Sequence, residues 1–229
     1  HFVNEYTTIL NEIQFAIVPG SNVDLGEATL KGILSHIGRP FKTWEEGKYT
    51  LRNGWMDIRR MDFGVTLGKR WLANVDIPDL ELFPSRYPGV QTVRFQAGHE
   101  LSVIHLSLAL MAYLSKHKLV SHWERFSSPI FNLSRHIKKL GSDTGGMVIQ
   151  LDGMNKEGSK QKIIWRLLAK SGAGPRIPTI SAIILANRIL DGKLTEHGAR
   201  PCLGMYHLDE FFTIARNWGI YEEVERIVG

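Results

Sequence analysis

A pair of alternating segments separated by a short turn constrains the fold of this chain more than any other feature. Residues 147–153 and 161–169 place apolar and polar side chains at alternate positions, and the residues between them include the turn formers Asn-Lys-Glu-Gly at 155–158. Such alternation is typical of half-buried strands, and the turn predicts that they form a long β-hairpin. Because hairpin strands run antiparallel, we expect a largely antiparallel sheet.

The other predicted strands also come in adjacent runs and do not alternate strictly with helices. They are 11–18, 41–44, 49–52, 56–61, 69–75, 90–95 and a short piece at 201–206, with hairpin-type turns at Glu46-Gly47 and Asn53-Gly54. The predicted helices are 24–37, 100–116, 119–140 with a break at Pro129, 178–190 and 208–218; residues 1–9 fit the tail of a helix, and 220–227 fit a strand or a helix.

This order of elements favours an α+β fold, with a mixed, largely antiparallel sheet and helices packed on one face. Residues 1–229 have the length of a single large domain. The segment 100–116 is apolar most of the way round, so we expect that helix to be well buried.

Composition excludes several classes of partner. The formal net charge is +5 and the pI is about 9.3, but the basic residues are scattered and form no stripe of the kind that binds nucleic acid. The apolar run from Leu101 to Leu114 is too short and too polar to cross a bilayer. The single cysteine, Cys202, excludes a disulfide framework and fits a reducing compartment. We therefore expect a cytoplasmic protein with no nucleic-acid and no membrane partner.

Motifs for metal, nucleotide and nucleophile chemistry are missing or incomplete. His99 and His105 are six residues apart, which turns them to different sides of a helix, so we expect no metal site. The segment 64–70 has too few residues between its glycines for a P-loop. No Gly-x-Ser-x-Gly turn occurs, and the sequence assigns no catalytic residue.

The segment that follows the hairpin is the strongest candidate for contact with a ligand. Gly172, Gly174 and Pro175 lead into a helix that starts near Pro178, where proline suits the first turn. The free N–H groups of such a helix start can hold an anion or a carboxylate. Ile177 takes the place of the third glycine of a dinucleotide-binding fingerprint, so we expect no cofactor to bind in this chain. A plain strand-to-helix connection is the alternative interpretation.

Four charged residues at predicted element ends are further candidates for substrate binding. Arg94 and Glu100 flank the junction between a strand and a helix, where they can bind a charged substrate, although Glu100 can simply complement the helix dipole. Asp143 lies in a glycine-rich loop that either contacts a ligand or only ends a helix. Arg200 precedes a proline, which favours a fixed guanidinium for a carboxylate, and it can equally pair with an internal aspartate.

Seven short motifs carry a resemblance to a known family. They are Ile33 to Pro40, Gly54-Trp55, Asp76 to Leu80, Arg94-Phe95 with Gly98 and Glu100, Gly141 to Met147, Gly174-Pro175 with Ile177 to Thr179, and Gly198 to Cys202. In this order, over about residues 13–212, the chain resembles the C-terminal, substrate-side domain of saccharopine dehydrogenase-like proteins.

The resemblance implies a function. In that family an N-terminal Rossmann domain carries NAD(P), and the second domain supplies the substrate cleft and often the dimer contact. By resemblance we expect a homodimer and a small amino-acid-like substrate, with Arg200 on a carboxylate and Glu100 or Asp143 holding an amine or relaying a proton. Arg94 and the Gly174-Pro175 turn would line the same cleft.

The family's Gly-x-Gly-x-x-Gly unit is missing from this sequence. We therefore expect NAD(P) to bind only in the full-length protein and this chain alone to be inactive. A non-catalytic ligand-binding or dimerisation module is the alternative function. In that case the apolar helix 100–116 and the helix that contains Pro129 would form a dimer face.

Overall fold

The computed structural model describes residue 3, residues 9–194 and residues 198–229. Within them the chain forms a nine-stranded mixed sheet. The strands are β1 (Ile9–Val18), β2 (Pro40–Glu45), β3 (Lys48–Asn53), β4 (Arg59–Asp62), β5 (Lys69–Asn74), β6 (Thr92–Gly98), β7 (Gly145–Met154), β8 (Lys160–Ala169) and β9 (Ile220–Val228).

Six α-helices and four short 3₁₀ turns accompany the sheet in the described residues. The helices are α1 (Glu27–Ser35), α2 (Asp79–Arg86), α3 (Ser102–Lys116), α4 (Ser127–Ile137), α5 (Ile177–Leu190) and α6 (Leu208–Ala215). The 3₁₀ turns are Trp123–Phe126, Lys138–Leu140, Gly174–Arg176 and Arg216–Trp218. No helix in the described part of the chain is long and apolar enough to span a membrane.

The strand order is β3-β2-β6-β1-β7-β8-β9, and the β4–β5 hairpin joins this sheet where β5 pairs with β6. Strands β1 and β6 run parallel, and the other described pairs are antiparallel. The predicted α+β class with a largely antiparallel sheet is therefore confirmed.

The predicted long hairpin is formed by β7 and β8. Their pairing runs without interruption from Gly145 opposite Ala169 to Met154 opposite Lys160. The side-chain oxygen of Asn155 accepts backbone hydrogen bonds across the turn, and Gly158 takes a left-handed backbone with φ of 79°. Asparagine and glycine thus close the hairpin by the chemistry that predicts turns from sequence.

The two faces of the sheet are covered differently. Phe15, Ile149 and Trp165 are paired across β1, β7 and β8 and define the helical face, on which the α-helices pack. Ala16 and Val148 point the other way and define the hairpin face, which the β4–β5 hairpin covers. Because successive side chains of a strand point to opposite sides, each strand contributes residues both to the helical face and to the hairpin face.

The helix predicted over 100–116 exists as α3, but the prediction that it is well buried is wrong. Only His105 and Ala112 of α3 are buried. The helix packs on the sheet near β5 along one side. The apolar residues on its other side, Val103, Leu106, Leu110 and Tyr113, are exposed. A prediction based on the all-round apolar sequence therefore overestimates the burial of α3, because the core contacts only one side of the helix.

Three local predictions also fail. Asn53-Gly54 is not a hairpin turn, because β4 pairs with β5 and not with β3. Residues 201–206 form turns and no strand. Pro129 lies in the first turn of α4, where a missing N–H costs no helical hydrogen bond, so it produces no break. The predicted helix end over residues 1–9 lies outside the described residues, except for residues 3 and 9.

Candidate functional site

Several loops meet at one edge of the sheet, which we call the carboxyl edge. The parallel strands β1 and β6 both end there, at Val18 and Gly98. Strand β7 begins at the same edge and β8 ends there. The carboxyl edge therefore carries the loops 19–24, 99–101, 141–144 and 170–173. In open sheets that contain parallel strands, ligands commonly bind beyond the carboxyl ends of those strands.

The Glu100 carboxylate ties two of these loops together. It accepts the backbone N–H of Ser21 at 2.8 Å and that of Ser142 at 2.9 Å, both through Oε2. Partial burial raises the pKa of Glu100, but the hydrogen bonds from Ser21 and Ser142 outweigh it and hold the pKa below the usual value. Glu100 is therefore a fixed anion at neutral pH.

Close packing around this carboxylate explains a glycine in the loop. A Cβ at Gly141 would lie 2.5 Å from Oε2 of Glu100 and 2.4 Å from Cβ of Ser21. No larger residue fits there unless the loop moves. Glycine at position 141 is thus required by the approach of the loop to Glu100.

His99 lies beside Glu100 as a neutral ring. Its Nδ1 accepts the backbone N–H of Leu101 at 3.3 Å and lies 3.4 Å from Oγ of Ser21. Burial lowers the pKa of His99, and the nearby Glu100 charge offsets this only in part. Because Nδ1 is an acceptor, the proton of the neutral ring is on Nε2.

Asp143 joins the next pair of loops. Its backbone carbonyl accepts the N–H of Gly172 at 3.0 Å, so the loop 141–144 is bound to the turn that leads into α5. Its side chain is exposed and accepts a hydrogen bond from the Thr144 hydroxyl at 3.3 Å. Asp143 therefore carries an exposed carboxylate on a loop that is bound to the connection before α5.

The Gly174-Pro175 turn is a 3₁₀ turn that continues directly into α5. The left-handed residues of this connection are Ser171, with φ of 53°, and Gly172, with φ of 69°. A Cβ at Gly174 would have no neighbouring atom within 4 Å, so packing at this position does not demand glycine. The N–H of Ile177 donates to the Gly174 carbonyl and that of Arg176 to the Ala173 carbonyl. Since Pro175 and Pro178 have no N–H, the expectation that free N–H groups of this helix start hold an anion is wrong.

The structure thus brings together three of the predicted candidates, namely Glu100, Asp143 and the Gly174-Pro175 turn, but it places Arg94 elsewhere. Arg94 lies in the middle of β6 and pairs with Gln14 on the hairpin face. Its guanidinium is 3.4 Å from the Glu45 carboxylate, which also binds Arg52. The hydrogen bond from Arg52 lowers the pKa of Glu45, partial burial opposes this, and the Arg94 charge adds to the lowering.

Arg200 is also distant from the carboxyl edge. It is exposed on the connection from α5 to α6, and this connection leaves α5 at the end opposite to the carboxyl edge. The helix of 14 residues is about 20 Å long. Gly204, on the same connection, packs against Arg86, which ends α2 shortly before β6 begins. Arg188 of α5 donates a hydrogen bond to the backbone carbonyl of Met205 on this connection. These contacts anchor the connection toward the opposite edge of the sheet.

Sequence reasoning missed four residues of the carboxyl edge. Ser21, His99 and Ser142 surround the Glu100 carboxylate, and Arg176 is an exposed cation in the first turn before α5. Ser21 and Ser142 bind through backbone N–H groups, for which side-chain identity gives no signal. Arg176 had a signal, since it follows Gly174-Pro175 directly. Among the described residues, no group of three His, Cys, Asp or Glu side chains has the geometry of a metal site.

Comparison with known proteins supports a fold but no sequence family. No protein-family model matches the chain. A search of curated proteins also finds no match. Among solved structures, the chain is similar to the apo form of saccharopine dehydrogenase (L-Glu forming) from Saccharomyces cerevisiae. The TM-score is 0.58 at 13% identity, and the alignment covers 96% of this chain and 67% of the yeast chain. The chain therefore shares a saccharopine dehydrogenase-like fold.

Proposed function

We propose that this chain is the substrate-binding domain of an NAD(P)-dependent, saccharopine dehydrogenase-like oxidoreductase that acts on an amino-acid-type substrate. The observation that carries the proposal is the backbone contact between Asp143 and Gly172, which ties the loop with this exposed carboxylate to the connection that leads into α5. The fold shared with the yeast enzyme over nearly the whole chain supports it.

The carboxyl edge offers charges of both signs. Asp143 provides an exposed carboxylate for an ammonium group, and the ionised Glu100 adds negative potential through the adjoining loop. Arg176, an exposed cation directly before α5, lies at the positive end of the helix dipole and suits a carboxylate. An amino acid carries both groups on one carbon atom, so its zwitterion matches this arrangement. Because the lowered pKa keeps Glu100 charged, we assign it to amine attraction and not to proton relay.

The described residues do not fit a dinucleotide cradle. Strand β8 precedes the glycine turn, but both of its neighbours, β7 and β9, are antiparallel to it. A dinucleotide cradle follows a strand of a parallel sheet and needs a third glycine where this chain has Ile177. The proposal therefore assigns NAD(P) to a separate Rossmann domain, and this chain contributes substrate binding and orientation.

Equilibrium binding of matched ligands tests the proposal. L-glutamate and glutarate share two carboxylates, but only L-glutamate has an ammonium group. We expect L-glutamate to bind about fivefold more tightly, which is the scale of an exposed charge pair. Asp143→Asn should reduce its affinity to that of glutarate. Glu157→Gln, an exposed carboxylate at the β7–β8 turn, is the matched control and should change nothing. Unchanged L-glutamate binding by Asp143→Asn would contradict the proposal.

A non-catalytic assembly module is the second candidate function, and exposed apolar residues of α3 favour it. Val103 is 77% exposed and Leu110 is 60% exposed, on one side of the helix. Helices with such a stripe commonly pair. This alternative predicts a dimer in sedimentation that Leu110→Lys weakens, together with no response to L-glutamate. The homodimer expected from the family resemblance would be compatible with either function.

A further inference from the structure

A groove between α3 and the segment before β4 is separate from the carboxyl edge. Its volume is about 460 Å³, within the usual range of small-molecule sites. The lining is mostly apolar and includes Trp55, Asp57, Leu106, Leu110 and Tyr113. Asp57 is the one charged side chain in this lining. The groove is thus an apolar surface with a single negative charge.

A chain of buried amides holds the Asp57 carboxylate in place. Nδ2 of Asn74 donates to Oδ2 of Asp57 at 2.7 Å, and Nε2 of Gln96 donates to Oδ1 of Asn74 at 3.1 Å. Asn74 is 4% exposed and Gln96 is 2% exposed, whereas Asp57 is exposed. The buried side chains therefore fix a carboxylate that remains open to solvent.

The backbone of this segment is fixed as well. The N–H of Trp55 donates to the Asn74 carbonyl at 2.7 Å, and the N–H of Asn74 donates to the Met56 carbonyl at 3.0 Å. Trp55 and Asp57 adopt left-handed φ angles of 61° and 56°. The two residues that precede Asp57 are thus bound to β5.

Asp57 forms no ion pair with a cation of the described chain. Arg52 and Arg59 are near enough for their charges to interact with it, but neither forms an ion pair with Asp57. Tyr113 lines the opposite wall, and an aromatic ring of this kind attracts cations. Apolar walls, one fixed carboxylate and an aromatic ring together suit a molecule with a positively charged end.

We propose that this groove binds an organic cation, an ammonium or guanidinium group attached to an aliphatic or aromatic body. The charged end would contact Asp57 and the body would lie against Leu106 and Leu110. The inference goes beyond the proposed function, because the groove lies along the outer side of α3 and shares no residue with the carboxyl edge. A second copy of the chain on the α3 stripe would cover the same surface, and the test must separate these occupants.

Three probes of equal length test the role of charge: n-hexylamine, n-hexanol and hexanoate. Binding is followed by NMR shifts of the Trp55 indole N–H and of the amides lining the groove. We expect hexylamine to bind about fivefold more tightly than hexanol and hexanoate to bind most weakly. Asp57→Asn should remove the difference between amine and alcohol. Asp62→Asn, an exposed carboxylate outside the groove, is the matched control.

The proposal is overturned if hexylamine and hexanol bind equally to the native protein, if no probe gives a saturable shift, or if Asp57→Asn leaves hexylamine binding unchanged. It is also overturned if groove resonances shift with protein concentration alone, since that places a second copy on this surface. Because the L-glutamate test depends on Asp143 and this one depends on Asp57, either can fail alone.

Discussion

His105 makes the stability of the fold depend on pH in a predictable window. The side chain is fully buried on α3 beside the Trp55 ring, and neither ring nitrogen has a hydrogen-bond partner of ordinary geometry among the described residues. Burial lowers the pKa of His105 to about 4; repulsion from His99 adds to the lowering once that ring is protonated, and the Leu72 backbone opposes it. The pKa of histidine in the unfolded chain is about 6.5.

The sign of the effect follows from proton counting. Between pH 6.5 and pH 4 the unfolded chain binds the proton and the folded chain does not, so the free energy of unfolding falls as the pH falls. From pH 7.5 to pH 5, linkage gives a loss of about 2 kcal/mol from this residue. His105→Leu removes the titrating group, and its free energy of unfolding should therefore fall by about 2 kcal/mol less than that of the native protein over this interval.

Urea unfolding of both proteins at pH 7.5 and pH 5 measures this difference, because groups that titrate in both cancel. His136→Leu, which removes an exposed histidine of α4, is the control and should behave as the native protein does. Equal losses of stability in the native protein and in His105→Leu would refute the reasoning, since they would show that His105 is protonated in the folded state or paired with another group.

Two further predictions concern glycine packing and the carboxyl edge. Gly38→Ala should destabilise the fold by about 2 kcal/mol or more, because φ is 70° and the new Cβ would lie 2.4 Å from Cβ of Ser115. Gly32→Ala in α1 has open space around the new Cβ and should stabilise the fold by about 0.5–1 kcal/mol. A thermal melt that ranks the two variants in the reverse order contradicts this prediction. Glu100→Gln should lower the free energy of unfolding by about 1–2 kcal/mol above pH 4.5. This loss should vanish as the pH falls below the lowered pKa of Glu100, because both side chains are then neutral. A loss of stability that is independent of pH contradicts a role for the Glu100 charge.

Regular patterns of the sequence predict most of the sheet and several helices. The β7–β8 hairpin is predictable from its own residues, since the alternation of its strands and the turn sequence between them determine a local antiparallel pair. Helix α5 is predicted to within one residue of its start, because proline suits a first turn and glycine follows the end. These elements depend on contacts between residues close in sequence.

The candidate site is only partly predictable, because it depends on which strands become neighbours. Nothing local to β1 indicates that it lies between β6 and β7, yet this order brings Ser21 and Ser142 to Glu100. Arg94 could have been predicted to face away from the helices, since it alternates with Val93 and Phe95 of the core. The position of Arg200 depends on the route of an irregular connection, for which no periodicity exists.

The central claim is that the carboxyl edge binds the zwitterion of an amino-acid-type ligand, and chemical-shift mapping during a titration with L-glutamate tests it most directly. The account predicts saturable shifts confined to the amides of residues 20–21, 99–101, 141–144 and 171–177. Shifts that map to another surface, or no saturable shift at any residue, would contradict it.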